Sequence, residues 1–105
     1  MEYSESLKKN RDFQQVYKTG TSYVNKYIVM DVKENQLEKN RIGISVSKKV
    51  GNSVVRHRLC RLVRESYRLH EQEFHRGVDI VVVARVSAKE RTFREIESAF
   101  LHLGR

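Results

Sequence analysis

The sequence has 105 residues, of which 39% are hydrophobic and 32% are charged. A chain of this length supports one hydrophobic core, so we predict a single domain over residues 1–105. No apolar run is long enough to span a bilayer, and the N-terminus lacks the basic start and apolar stretch of a secretory signal, so a cytoplasmic protein is expected. The single cysteine, Cys60, excludes an internal disulfide and a zinc site built from several thiolates.

The excess of positive charge is the first indication of a partner. The chain carries 21 Lys and Arg against 13 Asp and Glu, which gives a net charge of +8. A polyanion is the natural partner of such a protein. The charge is also unevenly distributed, because no acidic residue lies between Glu38 and Glu65. The sequence therefore predicts a positive field that is concentrated on one part of the surface.

The first half of the chain predicts one helix followed by two or three strands. A short helix is expected from Asn10, a common capping residue, to Gly20, a common helix stop. The β-branched and aromatic residues of 23–33 predict either two strands or one bent strand. Residues 42–47 alternate between apolar and small or polar side chains, which is the pattern of a half-buried strand.

The second half predicts a long helix, a strand and a closing helix. Residues 51–53 are suited to start a helix that runs to about Phe74. Residues 78–84 read as a buried strand, and Thr92 with Glu95 three residues later forms a capping box before the last helix. The whole order predicts an α+β sandwich in which helices cover a small sheet.

On a helical wheel at about 100° per residue, the long helix separates into two arcs. The apolar arc carries Val55, Leu59, Leu62, Val63 and Leu69. The basic arc carries Arg56, His57, Arg61, Arg64 and Arg68, with Arg58 at its boundary. Guanidinium groups bind phosphate oxygens in pairs and stack on bases, which favours RNA as the partner. The alternative is a solvated face held by ion pairs, but that needs interleaved acids and the arc offers only Glu65.

The segment from Arg41 to Glu65, RIGISVSKKVGNSVVRHRLCRLVRE, resembles the signature of the bacterial ribonuclease P protein family. Matching residues within 7–20 and the run DIVVVAR at 79–85 extend the resemblance over nearly the whole chain. The resemblance implies a two-layer α/β sandwich of order αβββαβα, like the second domain of a ribosomal protein. It also implies a left-handed strand-helix-strand crossover, whereas the general rule for such crossovers is right-handed.

The resemblance further implies that an RNA subunit hydrolyses the phosphodiester with bound Mg²⁺, while the protein binds that RNA and the 5′ leader of precursor tRNA. The residues that it assigns to the catalytic RNA are Lys48, Lys49, Asn52, Arg56, His57, Arg58, Arg61, Arg64 and Arg68. It assigns the leader to Phe13 and Tyr17, whose rings would stack on unpaired bases. The chain departs from the family pattern at His57, Cys60 and Asp31. Tyr27 is expected to share the strand face of Asp31 and to supply the missing aromatic ring there.

Other interpretations of the same residues stay open. Phe13 and Tyr17 have the spacing of core residues on a helix, and without the resemblance a core position is favoured. His70 and His75 permit a metal cluster, but a polar helix end explains them equally well. No groups stand at a recognised spacing for acid–base chemistry, so we expect neither a catalytic residue nor a metal ligand in this chain.

Two other classes of nucleic-acid-binding protein compete with the family assignment. A structural RNA binder, such as a ribosomal protein or an RNA chaperone, fits the charge and the fold class equally well. A DNA-binding repressor is disfavoured, because predicted strands flank the basic helix in place of the partner helix of a helix-turn-helix motif.

Overall fold

A five-stranded sheet with helices on both faces forms the protein in the computed structural model, which describes residues 3–104. The strands are β1 (Ser4–Ser6), β2 (Thr21–Val24), β3 (Ile28–Glu34), β4 (Asn40–Ser45) and β5 (Val78–Ala84). The helices are α1 (Asn10–Thr19), α2 (Ser53–His70) and α3 (Phe93–Gly104), with short 3-10 turns at Glu71–Glu73 and Val86–Ala88. Met1, Glu2 and Arg105 lie outside the described residues, so part of the N-terminus from which we expected no export signal is not described.

The strands lie in the order β1-β4-β5-β3-β2. β4 is parallel to β1 and to β5, while β3 is antiparallel to β5 and to β2. The predicted α+β class and the order of elements from α1 to α3 are confirmed. The separation of β2 from β3 confirms two strands in place of one bent strand. β1 was not predicted, because a three-residue segment of sequence SES carries no strand pattern. The hand of the β4-α2-β5 crossover stays a prediction.

Alternation along β5 divides the core between the two faces of the sheet. Ile80 and Val82 belong to the larger cluster, which α2 and α3 cover and which includes the buried rings of Tyr67 and Phe100. We call this side the two-helix face. Val81 belongs to a smaller cluster on the opposite side, with residues from α1 and from the segment before it. We call that side the α1 face.

The ends of α1 and α3 follow local signals. α1 begins with Asn10 as its first helical residue, so the cap position falls on Lys9 and the predicted cap on Asn10 is wrong by one residue. The helix stops before Gly20, as predicted. The capping box of α3 is confirmed, because the Glu95 amide donates to Thr92 Oγ1 at 3.2 Å and the Thr92 amide donates to Glu95 Oε1 at 3.1 Å.

The predicted start of α2 is confirmed, whereas its predicted end is wrong. The Val55 amide donates to Asn52 Oδ1 at 3.0 Å, so Asn52 caps the helix. The helix ends at His70, short of the predicted Phe74, because a 3-10 turn follows directly. α2 is the longest of the three helices, and no helix within residues 3–104 is long and apolar enough to cross a membrane.

One residue of the predicted apolar arc of α2 is exposed, whereas the others are buried or partly buried. Leu69 is 51% exposed, whereas Tyr67, which was not assigned to that arc, is completely buried. Leu59, Val63 and Tyr67 follow one another at intervals of four residues and so lie along one line of the helix. Leu69 is two residues beyond Tyr67 and therefore points about 200° away from it. The prediction that Leu69 faces the core is wrong for this reason.

Candidate nucleic-acid interface

Residues in the turn before α2 and along the outer side of this helix form an exposed basic surface. We define the basic ridge as Lys48, Lys49, Asn52, Arg56, His57, Arg58, Arg61, Arg64 and Arg68. Arg56 and Arg58 are half-buried, while the other members are exposed. The sequence-predicted positions therefore lie together on one surface. Whether each of them contacts RNA stays a prediction.

The ridge arginines differ in how far they are engaged within the protein. Arg58 Nη2 donates to a backbone carbonyl in the loop before α3 at 2.5 Å, and Arg64 Nη1 donates to the Ser6 hydroxyl at 2.9 Å. Arg68 forms a two-bond pair with Glu65, which lowers the pKa of that carboxyl. Within residues 3–104, the guanidinium of Arg61 makes neither a hydrogen bond nor an ion pair. Arg61 is therefore the arginine of the ridge whose guanidinium is most available to a phosphate.

Cys60 lies on α2 between two ridge arginines and is half-buried. Burial raises the pKa of its thiol, and the nearby positive charges of Arg64 and Arg56 only partly oppose that shift. A thiol whose pKa is raised carries little nucleophilic thiolate at neutral pH. The environment of Cys60 therefore supports a packing role for this residue.

The two aromatic residues of α1 lie at the border between core and surface. The rings of Phe13 and Tyr17 are 6.4 Å apart between centroids and tilted by 55°. Phe13 is partly buried above Gly43 of β4, where a β-carbon would collide with its ring. Tyr17 is 40% exposed. Phe13 thus combines a core contact with a partly exposed ring, while Tyr17 is available to a ligand.

The absence of a side chain at Gly43 is expected to determine where the Phe13 ring lies. In a Gly43→Ala variant the new methyl group displaces the ring, and overpacking of this kind costs about 1–3 kcal/mol of unfolding free energy. Urea denaturation measures this loss. Ser45→Ala, two residues along the same strand face, is the matched control and should cost less than about 1 kcal/mol. A Gly43→Ala variant as stable as its parent would contradict the packing described for Phe13.

A partly buried ion pair attaches α1 to the sheet beside these rings. Arg41 Nε and Nη2 donate to the two carboxylate oxygens of Asp79 at 2.8 and 2.6 Å, and Asn35 Nδ2 donates to the first of them at 2.9 Å. Arg41 Nη1 also lies 3.5 Å from Asp12 in the first turn of α1. The hydrogen bond with Asp79 raises the pKa of Arg41 in spite of its partial burial. Because Asp12 precedes Phe13, this network helps to fix the position of the Phe13 ring.

Tyr27 does not share a surface with the aromatic residues of α1. It lies in the turn before β3, and its ring packs against the core cluster of the two-helix face. Asp31, by contrast, is paired with Val81 of β5 and faces the α1 face. The expectation that Tyr27 and Asp31 share a strand face is wrong, because the period-two pattern begins only with β3, one residue after Tyr27.

His70 joins the end of α2 to α3. Its Nδ1 lies 2.5 Å from Glu73 Oε2 and its Nε2 lies 3.0 Å from Glu97 Oε2. Both hydrogen bonds raise the pKa of the imidazole, and the one with Glu97 contributes more than the one with Glu73. No group of three His, Cys, Asp or Glu residues suited to a metal ion occurs in the range 3–104. The structure therefore explains His70 as a bridge between helices.

This bridge predicts a specific pH dependence of stability. The pKa of His70 is raised above its ordinary value of 6.5 in the folded protein, so its contribution is fully present below that pH and is lost as the pH rises through the folded value. Urea denaturation at about pH 6 and about pH 8.5 should show that His70→Gln removes a stabilisation of at most about 1 kcal/mol that the parent has only at the lower pH. An identical pH dependence in parent and variant would contradict the bridge.

A small sheet packed on helices, with one helix that presents an almost entirely cationic outer side, defines a basic α+β protein of the nucleic-acid-binding class. Comparison with known sequences gives the family. A sequence model of the family Ribonuclease P matches residues 1–105. The ribonuclease P protein component of Lachnoclostridium phytofermentans is 58% identical over 102 residues, which cover 97% of this chain and 88% of that protein. That of Alkaliphilus metalliredigens is 54% identical over 103 residues, covering 98% and 93%.

Solved structures agree with the sequence comparison. The RNase P protein of Staphylococcus aureus superposes with a TM-score of 0.87 at 39% identity, over 93% of this chain and 90% of that one. The RNase P protein of Thermotoga maritima gives a TM-score of 0.86 at 33% identity, over 94% of each chain. The chain therefore belongs to the ribonuclease P protein family, the protein component of the enzyme that matures the 5′ end of tRNA.

Proposed function

We propose that the basic ridge binds the RNA subunit of ribonuclease P and that the α1 face binds the 5′ leader of precursor tRNA. The observation that carries the first part is the exposure of seven of the nine ridge residues on one surface. The one acidic residue of α2, Glu65, is already paired with Arg68 and does not cancel the other charges. Such a surface gains affinity for RNA by releasing the counterions condensed on phosphates.

The leader would lie along the part of the α1 face that α1 leaves accessible. Tyr17 is exposed beside Phe13, and Val29 and Val83 on neighbouring strands are only partly buried. An exposed ring stacks on an unpaired base whatever its identity, because every base has a flat face. This arrangement suits a leader of variable sequence. Lys33 lies on the same strand face as Val29 and would contact a phosphate.

Two side chains of this protein, Cys60 and His70, carry groups that could in principle take part in catalysis, but their environments support a binding role for the protein. The pKa of the Cys60 thiol is raised by burial, and both ring nitrogens of His70 are engaged by carboxylates. Neither group is poised for proton transfer at a scissile phosphate. We therefore assign the hydrolysis, and the Mg²⁺ that it uses, to the RNA subunit. We also propose that the protein acts in the cytoplasm, as the sequence leads us to expect.

Reconstitution tests the assignment to the RNA subunit directly. Precursor tRNA is incubated with a bacterial ribonuclease P RNA at low millimolar Mg²⁺, with and without this protein, and with the protein alone. We expect cleavage at the mature 5′ end only when RNA and protein are both present. Tight RNA binding without any stimulation of cleavage would refute the proposal and would direct attention to a structural RNA-binding role.

The leader assignment needs a separate comparison. The reconstituted enzyme should bind precursor tRNA more tightly than mature tRNA, and Tyr17→Ala should reduce that preference by about five- to tenfold through the loss of base stacking. Tyr23→Ala is a matched control, because Tyr23 is similarly exposed but faces the opposite side of the sheet through its pairing with Met30. An equal effect of both substitutions would contradict a leader path over α1.

A further inference from the structure

A second group of cations surrounds Tyr27 at the edge of the two-helix face. The Lys26 ammonium lies 5.5 Å and the Arg91 guanidinium 5.8 Å from the centroid of the Tyr27 ring. The turn that carries Lys26 and Tyr27 borders a groove of about 470 Å³, whose other wall is α3 with Arg94 and His102. An aromatic ring flanked by cations attracts both a base and its phosphate. We call Lys26, Tyr27, Arg91 and Arg94 the Tyr27 platform.

The platform is held in place by hydrogen bonds on several sides. Asn25 Oδ1 accepts from the Tyr27 amide at 3.0 Å, while Asn25 Nδ2 donates to the carbonyl of Ala99 in α3 at 2.9 Å. Arg85 Nη1 donates to the Asn25 carbonyl at 2.7 Å. The Lys26 carbonyl also accepts from the Ser87 hydroxyl. The turn is thus attached to α3 and to the segment after β5 by contacts that use neither the Lys26 ammonium nor the Tyr27 hydroxyl. A surface ordered before binding loses less entropy when a ligand arrives.

The platform is continuous with the basic ridge. Arg58, a ridge member, donates to the carbonyl of Arg91 at 2.5 Å, and Arg91 lies over Tyr27. The nearest acid on α3, Glu95, is occupied by the capping box and lies 3.6 Å from Arg91. Lys26 and Arg94 are exposed, and neither forms an ion pair with an acidic residue of the described range 3–104. One cationic surface therefore passes from the ridge across Arg58 to the platform.

From this geometry we propose that the Tyr27 platform is a second RNA-contact surface, which binds an unpaired segment of the same RNA that the ridge binds. A base would stack on the Tyr27 ring, and the adjoining phosphates would pair with Lys26 and Arg94. The platform lies on the opposite side of the sheet from Tyr17. It is therefore separate from the leader path, and the inference rests on the proposed binding of RNA by the ridge.

Binding of the full protein to a bacterial ribonuclease P RNA across a salt series tests the inference. Lys26→Gln and Arg94→Gln should each weaken binding about fivefold near 0.1 M salt and reduce the slope of log affinity against log salt by about 0.7. Tyr27→Leu keeps an apolar group in the packing position and should weaken binding about fivefold through lost stacking. Melting temperatures verify that each variant is folded.

Two controls separate the possible outcomes. Lys39→Gln removes one exposed charge at the other end of β3 and should leave the affinity and the slope nearly unchanged. If Arg61→Ala weakens binding and the platform variants do not, the platform inference fails while the ridge assignment stands. If Arg61→Ala also has no effect, the proposed function itself fails. A platform variant that alters the preference for precursor over mature tRNA would overturn the inference by placing Tyr27 on the leader path.

Discussion

Changing Arg61 and Arg64 together to Ala is expected to weaken binding of ribonuclease P RNA on the order of fortyfold near 0.1 M salt. Both side chains are exposed on the basic ridge. Arg61 has no partner within the described residues, and the hydrogen bond of Arg64 is to the neutral Ser6 hydroxyl. Each guanidinium is therefore free to neutralise one phosphate, and each lost contact at this salt concentration costs about sixfold in affinity.

A salt series provides the measurement for this ridge variant. The slope of log affinity against log salt should fall by about 1.5, because two fewer counterions are released. The control, Lys39→Ala combined with Arg76→Ala, also removes two positive charges, but from exposed positions outside the ridge. It should change the slope little. The melting temperature of the ridge variant should stay close to that of the parent, since substitutions of exposed side chains rarely alter stability. An unchanged slope would show that neither arginine contacts a phosphate.

Elements specified by neighbouring residues were predicted closely. β5 occupies the predicted residues 78–84, because a run of β-branched residues is uniformly suited to a strand buried on both faces. The capping box of α3 joins Thr92 to Glu95, and both are fixed by local backbone geometry. The arc shared by the exposed α2 arginines of the basic ridge likewise follows from the helical period.

Elements that depend on distant partners were not predicted. β1 exists because its backbone pairs with β4, and its sequence alone gives no sign of this. Asn40 is completely buried, where its side chain donates to the Tyr67 hydroxyl at 3.0 Å and accepts from the Val78 amide at 3.0 Å. An asparagine in a polar stretch reads as part of a loop when such partners are unknown. Burial of polar groups is a property of the assembled fold.

The same distinction applies within the candidate site. The sequence places Arg61 and Arg64 on the basic arc and Arg58 at its boundary, but it does not show that Arg58 is engaged by the loop before α3. Tyr27 was assigned to the wrong face because period-two reasoning was extended one residue beyond the strand. Arg41 and Asp79 stand in the segments that carry the family resemblance, yet their pairing across β4 and β5 is visible only in the register of those strands.

The second large effect is expected from breaking the ion pair between Arg41 and Asp79. Asp79→Ala is expected to lower the unfolding free energy by about 2–4 kcal/mol, toward the lower part of the range for a broken buried pair because Arg41 keeps some exposure. Asp79 is 5% exposed and accepts from both Arg41 and Asn35. Its loss leaves Arg41 Nε and Nη2 without their acceptors, whereas Asn35 Nδ2 keeps the Lys39 carbonyl. Asp12, at 3.5 Å, is then the remaining ion-pair partner of Arg41 within residues 3–104. Urea denaturation measures the change.

Two further variants test whether the unpaired charge of Arg41 causes this loss of stability. Arg41→Met combined with Asp79→Leu removes both charges and fills the space, so this double variant should be more stable than Asp79→Ala. Asp79→Asn keeps the size and one acceptor oxygen and should fall between Asp79→Ala and the parent. Because Arg41 links the sheet to Asp12, Asp79→Ala should also displace Phe13 and weaken the preference for precursor over mature tRNA. If the double variant were no more stable than Asp79→Ala, the unpaired charge of Arg41 would not be the cause of the loss, and the ion pair would have no part in holding α1 on the sheet.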